Sequence, residues 1–366
     1  QIGREEMKHL VEGLKSNSSI HTLDLSMNRI GVEGSQYLRE LFQHNLAIAD
    51  VNLSANELRD KGISNVAEGI LANKTATRTR PVRRLVLYDN SFSTDGARAL
   101  SMCLAHAQVS ITLLDLSRNP IGCSGVSFVA DAVFHGCPLV TLLVSNCKIG
   151  SEGMIRMAEA IEKTTSLLSL KLQRCPLDPL GAQHLARMLE RNPALLGLDL
   201  SGSPILGAGM AEIAASMGGD ADTRRERNTR LTSLSVRSCQ LHAGGAAHIA
   251  RMLHSNNHLR RLDLGDNKIG TRGALELSAA LQQNFALTEL QLGKNEIEDE
   301  GCLGLGRCLS VNLSLRKLDL SDNRIGDGGA RALCLGLLAN EAMSELRVEG
   351  NVLTSVGVCF LEVALR

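Results

Sequence analysis

The sequence predicts an α/β solenoid, with short parallel strands on a concave face and helices on a convex face. Three observations predict it. A frame Leu-x-Leu-x-x-Asn/Cys-x-Ile/Leu-x-x-x-Gly begins at Leu23 and returns at Val51, Leu85, Leu114, Leu142, Leu170, Leu198, Leu234, Leu262, Leu290, Leu318 and Leu346. Its spacings are 28, 34, 29, 28, 28, 28, 36, 28, 28, 28 and 28 residues. Within each copy the hydrophobic period switches from two residues, the sign of a strand with one buried face, to the spacing of an amphipathic helix. A fixed period of this length across nearly the whole chain replaces the two to three ordinary domains that 366 residues would otherwise suggest.

Taken in order, each unit explains itself. In TLDLSMNRIGVEG, from Thr22, the leucines alternate with polar residues and give the strand. The Asn that follows (Asn28, Asn56, Asn90, Asn119, Asn267, Asn295, Asn323 and Asn351, replaced by Cys147, Cys175, Ser203 and Cys239) satisfies backbone groups where the strand turns away. After the Gly, a run such as GGARALCLGLLAN places apolar residues one turn apart. The closing Asn (Asn17, Asn45, Asn73, Asn192, Asn256, Asn284, Asn312 and Asn340) is expected just past the helix end in the left-handed conformation. Strands stack at about 4.8 Å and helices need roughly 10 Å, so the helical side is longer and the strands line the inner wall, about 55 Å across twelve strands.

These residues resemble the leucine-rich repeat family, and the 28-residue helical unit is similar to its ribonuclease-inhibitor-like subfamily. The resemblance implies a right-handed horseshoe and one leucine-rich repeat domain over residues 1–366, about twelve repeats plus a partial N-terminal one. That subfamily includes ribonuclease inhibitors, Ran GTPase-activating proteins, sensor regions of NLR immune receptors and cytoskeletal or ciliary scaffolds. IGREEMKHLVEGLKSN aligns with IGVEGSQYLRELFQHN, so the sequence starts within a repeat. GVCFLEVALR stops inside its helix, with Val358, Cys359, Phe360, Val363 and Leu365 apolar on several sides. Capping repeats normally turn a polar face outward, so both ends are expected to be continued by further chain or by a partner.

Composition removes several function classes. Lys plus Arg and Asp plus Glu both number 39, so the basic excess of a nucleic-acid wrapper is missing. Aromatic residues are 2% with no Trp, which disfavours sites that stack rings on bases, sugars or flat cofactors. No run of about 18 apolar residues predicts a membrane span, and QIGREEMKHL lacks the form of a signal peptide. Ten Cys in 366 residues is far below a disulfide scaffold, and the expectation is reduced thiols in a cytoplasmic protein, Cys147 and Cys175 included. There is no Cys-x-x-Cys, His-Glu-x-x-His, Gly-x-Ser-x-Gly or phosphate-loop motif, and His254 and His258 read as surface residues. No cofactor, metal site or catalytic constellation is expected.

The inner wall carries the functional expectation. Most outward positions hold Asp24, Asp115, Asp199, Asp263 or Asp319 beside Ser26, Ser117, Ser201 or Ser321. Repeats three to five depart from that pattern with Val86, Tyr88, Leu113 and Leu143, and Arg118, Lys171, Arg174 and Arg237 add a basic zone. An apolar patch holding a Tyr among cations is what an interface core requires, so these eight residues are expected to meet an apolar and acidic protein surface. Two long intervals hold insertions. Residues 73–84 carry Lys74, Arg78, Arg80, Arg83 and Arg84, and residues 218–230 carry mixed charge. Both read as polar surface loops, with docking of the first on an acidic partner as the rival.

The function expected is therefore a non-enzymatic protein-interaction scaffold or ligand-sensing module, with no small-molecule substrate. The resemblance offers one alternative, GTPase activation of the Ran type. It also brings cytoskeletal or ciliary association into view.

Overall fold

The computed structural model describes residues 2–73, 81–218 and 228–364. The chain divides into two compact units, Gln1–Pro176 with Asn192–Leu195, and Leu177–Arg191 with Leu196–Arg366. The first unit runs α1 (Arg4–Leu14), β1 (Thr22–Asp24), α2 (Gly31–His44), β2 (Asp50–Asn52), α3 (Arg59–Leu71), β3 (Arg84–Val86), α4 (Thr94–Leu104), β4 (Leu113–Asp115), α5 (Gly122–Phe134), β5 (Thr141–Leu143), α6 (Ser151–Ile161) and β6 (Ser169–Lys171). The second runs α7 (Pro179–Arg191), β7 (Gly197–Asp199), α8 (Leu206–Met217), β8 (Ser233–Ser235), α9 (His242–Ser255), β9 (Arg261–Asp263), α10 (Gly270–Leu281), β10 (Glu289–Gln291), α11 (Asp299–Leu309), β11 (Lys317–Asp319), α12 (Asp327–Leu337), β12 (Glu345–Arg347) and α13 (Ser355–Ala364).

Within each unit every strand pairs in parallel with the next, and the frame leucines stand in register. In the first unit Leu23, Val51, Leu85, Leu114, Leu142 and Leu170 form one row. In the second, Leu198 aligns with Leu234 and Leu262, and the row continues through Leu290 and Leu318 to Leu346. All but Leu346 are buried, and each such burial contributes about 1.5–3 kcal/mol relative to exposure. The helices bury a matching stripe, as Ala182, Leu185, Ala186, Met188 and Leu189 do on α7. This is the leucine-rich repeat solenoid that the period predicts. The frame glycine lets neighbouring helices approach: a Cβ on Gly153 would lie 2.8 Å from Val126 and 3.0 Å from the Cys123 backbone.

The Asn column after the strands does what its amide chemistry predicts. Asn119 donates from Nδ2 to the carbonyls of Leu87 and Leu116, both at 2.9 Å, and its Oδ1 accepts from the Asn90 N–H at 2.7 Å. The residue before this column is left-handed in every repeat, from Met27 (φ 57°) through Arg118 (φ 59°) and Arg174 (φ 54°) to Asp322 (φ 51°) and Gly350 (φ 72°). That conformation turns its N–H toward the next repeat, as Arg118 shows by donating to Ser145 at 2.9 Å. Where Cys stands in the column, the thiol donates instead, Cys147 to the Leu116 carbonyl at 3.2 Å and Cys239 to that of Leu200 at 3.3 Å. Burial pushes both thiols up to about 12, so they keep the proton this requires. All ten cysteines lie outside disulfides.

The helix-end Asn residues are not left-handed, contrary to the expectation from helix-capping preference. Asn45 has φ −72° and ψ 132°, and Asn256 has φ −86° and ψ 118°. The reason is a partner one repeat back. Asn45 donates to the carbonyls of Leu14 at 2.7 Å and Asn17 at 2.9 Å, while its Oδ1 accepts from the N–H groups of Ala47 and Ile48. Extended backbone makes both sets of bonds available, and Asn284 and Asn312 repeat the arrangement. Helix starts are also served by a neighbouring repeat: Asp60 accepts from the N–H groups of Ser93 and Gly96, and Asp327 from those of Thr354 and Gly357.

Candidate functional site

Outward strand positions form rows across each sheet, because register places equivalent residues side by side. In the consensus repeats the Asp fixes the turn. Asp24, Asp115, Asp199 and Asp319 each accept from the N–H of the Ser two residues on, at 2.8–3.0 Å. Ser201 and Ser321 return a hydroxyl bond of 2.6 Å to Asp199 and Asp319. Leu143 and Lys171 occupy the same register as Asp115 in the first unit, so that acceptor is missing from two consecutive repeats.

What forms there is an open depression lined by Tyr88, Asp115, Ser117, Arg118, Leu143, Ser145, Asn146, Lys171, Gln173 and Arg174. Arg118 donates from Nη1 to the Tyr88 hydroxyl at 2.7 Å, and its guanidinium carbon sits 5.6 Å from the centre of the Tyr88 ring. A cation over an aromatic face is held there electrostatically, which fixes Arg118 at the rim. Hydrogen bonding to Tyr88 raises the Arg118 pKa further, so its charge is permanent. Among the described residues Arg118, Lys171 and Arg174 make no ion pair. Arg118 and Arg174 are exposed, and Lys171 and Leu143 are half-buried.

Five of the eight expected residues thus come together: Tyr88, Arg118, Leu143, Lys171 and Arg174. Val86 lies elsewhere in the first unit, lining a second depression with Thr22, Asp24, Asp50, Asn52 and Arg84. Leu113 pairs in register with Arg84 and Thr141 and lines neither depression. Arg237 belongs to the second unit, where its guanidinium lies 3.9 Å from Asp263. Sequence reasoning did not single out Ser117, Ser145, Asn146 or Gln173 as site residues. The signal was the absent carboxylate at positions 143 and 171, which removes the usual acceptor from the residues two places on.

Of the basic insertion, Lys74, Arg78 and Arg80 lie outside the described residues, as do residues 219–227 of the other insertion. Arg84 lies 4.0 Å from Asp50. His254 sits in the last turn of α9 and His258 lies beyond it. Among the described residues no group of three or more His, Cys, Asp or Glu is placed to hold a metal ion, and no helix is long and apolar enough to cross a membrane.

A family model described as Leucine Rich repeat matches residues 16–38, 255–278, 283–306 and 311–334. The chain is similar to leucine-rich repeat-containing protein 45 of Gallus gallus, at 32% identity over 105 residues, covering 28% of this chain and 15% of that protein. It is also similar to NACHT, LRR and PYD domains-containing protein 14 of Mus musculus, at 27% identity over 149 residues, covering 40% of this chain and 14% of that protein. The matches therefore span a small part of these relatives' length. An internalin from Listeria monocytogenes aligns with 98% of this chain and 92% of its own, at a TM-score of 0.49 and 14% identity. The matched segments fall on repeats of both units, where leucines stand in register and strand alternates with helix, and the chain is a leucine-rich repeat protein.

Proposed function

We propose that this chain is a non-enzymatic protein-interaction module that binds a partner on the strand wall of its first unit. Leucine-rich repeat proteins generally mediate protein–protein interaction. The observation that carries the specific reading is the departure of β3–β6 from the consensus wall: Tyr88 and Leu143 stand beside Arg118, Lys171 and Arg174, which make no ion pair among the described residues, Asp89 acting on Arg118 only at longer range. Unpaired cations around an apolar centre favour an apolar and acidic protein surface, since opposite charges steer encounter and apolar burial holds the complex. Hydrogen-bonded strands hold these side chains in place before binding, so little ordering entropy opposes the complex. The depression is open, which suits a protein segment better than a small-molecule substrate.

The full helix in every 28-residue unit supports the ribonuclease-inhibitor-like subfamily. Ten cysteines outside disulfides, eight of them buried, support a reducing, cytoplasmic setting.

A photo-activated cross-linking residue at position 143 tests the reading, with one at the exposed helix position 102 as control. Proteins cross-linked from position 143 and lost on Arg118→Glu with Arg174→Glu support the proposed face. Equal capture from position 102, or none from 143, overturns it.

A further inference from the structure

Resting on the interaction reading above, we infer that the depression between β3 and β6 receives a phosphorylated side chain of the partner segment. The argument begins with two hydroxyls. Ser117 Oγ accepts the Ser145 N–H at 3.2 Å, and Ser145 Oγ accepts the Gln173 N–H at 3.1 Å. Each oxygen is therefore occupied as an acceptor while its proton has no acceptor among the described residues. In other repeats the equivalent proton is used, since Ser54, Ser201 and Ser321 donate to Asn52, Asp199 and Asp319 at 2.6 Å. Leu143 removes that acceptor beside Ser145. Asp115 remains beside Ser117 but takes its backbone N–H at 2.9 Å rather than its hydroxyl.

Ser117 is only 5% exposed. A buried donor left without a partner costs about 1–3 kcal/mol, and a ligand oxygen entering the depression would recover that. Ser117 and Ser145 line the same depression as the three cations and Asn146.

Charge then selects the anion. The lining holds Arg118, Lys171 and Arg174 against the single carboxylate Asp115, an excess of two positive charges. A phosphorylated side chain carries about −1.5 to −2 and three acceptor oxygens, whereas a carboxylate side chain carries one negative charge and two. Arg118 and Arg174 stand two strands apart, about 10 Å between backbones, and flank the hydroxyls on either side. Guanidinium groups hold phosphate through paired N–H bonds. Leu143 and the Tyr88 ring give the neighbouring residues of the segment an apolar footing.

The experiment titrates the full chain, with amides observed by NMR, against short acetylated peptides bearing phosphoserine or phosphotyrosine. Their unphosphorylated and glutamate counterparts and inorganic phosphate are titrated in parallel. The expected result is that one phosphopeptide binds at least about tenfold more tightly than its glutamate form, a difference of about 1.4 kcal/mol. The amides of Ser117, Ser145 and Asn146 shift, inorganic phosphate competes, and Arg118→Gln with Arg174→Gln abolishes the effect. Ser145→Ala, which keeps all three cations, should weaken the phosphopeptide and leave the glutamate peptide unchanged. Equal affinity for the glutamate peptide, no binding of either phosphopeptide, or binding indifferent to the arginine pair would overturn the inference. Phosphatase treatment separates it from the broader reading: cross-linking from position 143 that survives dephosphorylation sinks the phosphate site and leaves the interaction face standing.

Discussion

The strand walls of the two units share a backbone and differ in how their charges are used. In the second unit Arg261, Glu289, Lys317 and Glu345 follow one another in register with alternating sign. Lys317 reaches Glu345 at 2.9 Å, Arg347 reaches the same carboxylate at 2.7 Å, and Arg237 lies near Asp263. These residues satisfy each other. Around the Tyr88 depression of the first unit Arg118, Lys171 and Arg174 make no ion pair among the described residues, and Leu143 and Lys171 stand where acceptors would be. The comparison teaches that the repeat sets where side chains stand, while function depends on which of them the wall leaves unsatisfied.

The largest expected effect concerns what the walls share. Asn295 donates to the Leu264 and Leu292 carbonyls at 2.9 and 3.0 Å and accepts from Asn267 at 3.0 Å, much as Asn119 does in the first unit. Asn119→Ala or Asn295→Ala should each cost roughly 3–5 kcal/mol, from several buried groups at about 1–3 kcal/mol each. Cys147→Ala should cost about 1–2 kcal/mol, since a thiol is a weak donor. Urea unfolding with amide exchange reads both. If Cys147→Ala matched Asn119→Ala, the column would not be the element common to the two walls.

A smaller effect sharpens the contrast itself. Leu143→Asp restores the consensus carboxylate beside Asp115 and two residues before Ser145. It should engage the Ser145 hydroxyl, offset one positive charge and lower phosphopeptide affinity at least about tenfold. Asp319→Leu makes the reverse change in the second unit and should leave that affinity within about twofold, measured in the same titration. A loss from Asp319→Leu equal to that from Leu143→Asp would mean the walls do not act separately.

Much of this was legible because a repeat supplies its own reference. Against eleven other copies, Tyr88, Leu143, Lys171 and Arg174 stand out as departures, and the solenoid follows from the period alone. Val86 and Leu113 stood out equally, yet Val86, in the same row as Asp115 and Leu143, lines the other depression with Asp24 and Arg84, and Leu113 lies in the row of Thr22 and lines neither; linear spacing does not show where along a row a depression ends. Arg237 looked like part of the basic zone because its partner Asp263 lies one repeat onward, 26 residues away in sequence. The helix-end Asn residues were misread for a related cause: local preference favours the left-handed turn, but carbonyls one repeat earlier decide the conformation. The N–H groups that occupy the Ser117 and Ser145 oxygens come from 28 residues away, which no window of a few residues contains.

The smallest predicted effect probes the self-satisfied wall. Asp263 accepts from the Gly265 N–H at 2.9 Å and from the Ser235 hydroxyl at 3.2 Å, with Arg237 at 3.9 Å. Burial nevertheless dominates and raises its carboxyl above the ordinary value of 3.8. An acid raised in the folded state binds its proton more tightly there than in the unfolded chain. Its contribution to stability is therefore fully present below 3.8 and is lost as pH rises through the folded value. Asp263→Asn keeps the Gly265 bond through its amide oxygen and removes the ionisation, at the loss of an ion pair worth about 0–1 kcal/mol. The variant should be no less stable than the parent at pH 7 within about 1 kcal/mol, and its urea midpoint should fall less between pH 3 and 6. A variant that instead lost stability only at neutral pH would show that Arg237 holds Asp263 ionised against burial. The second wall would then owe its order to ion pairing more strongly than the geometry of its hydrogen bonds implies.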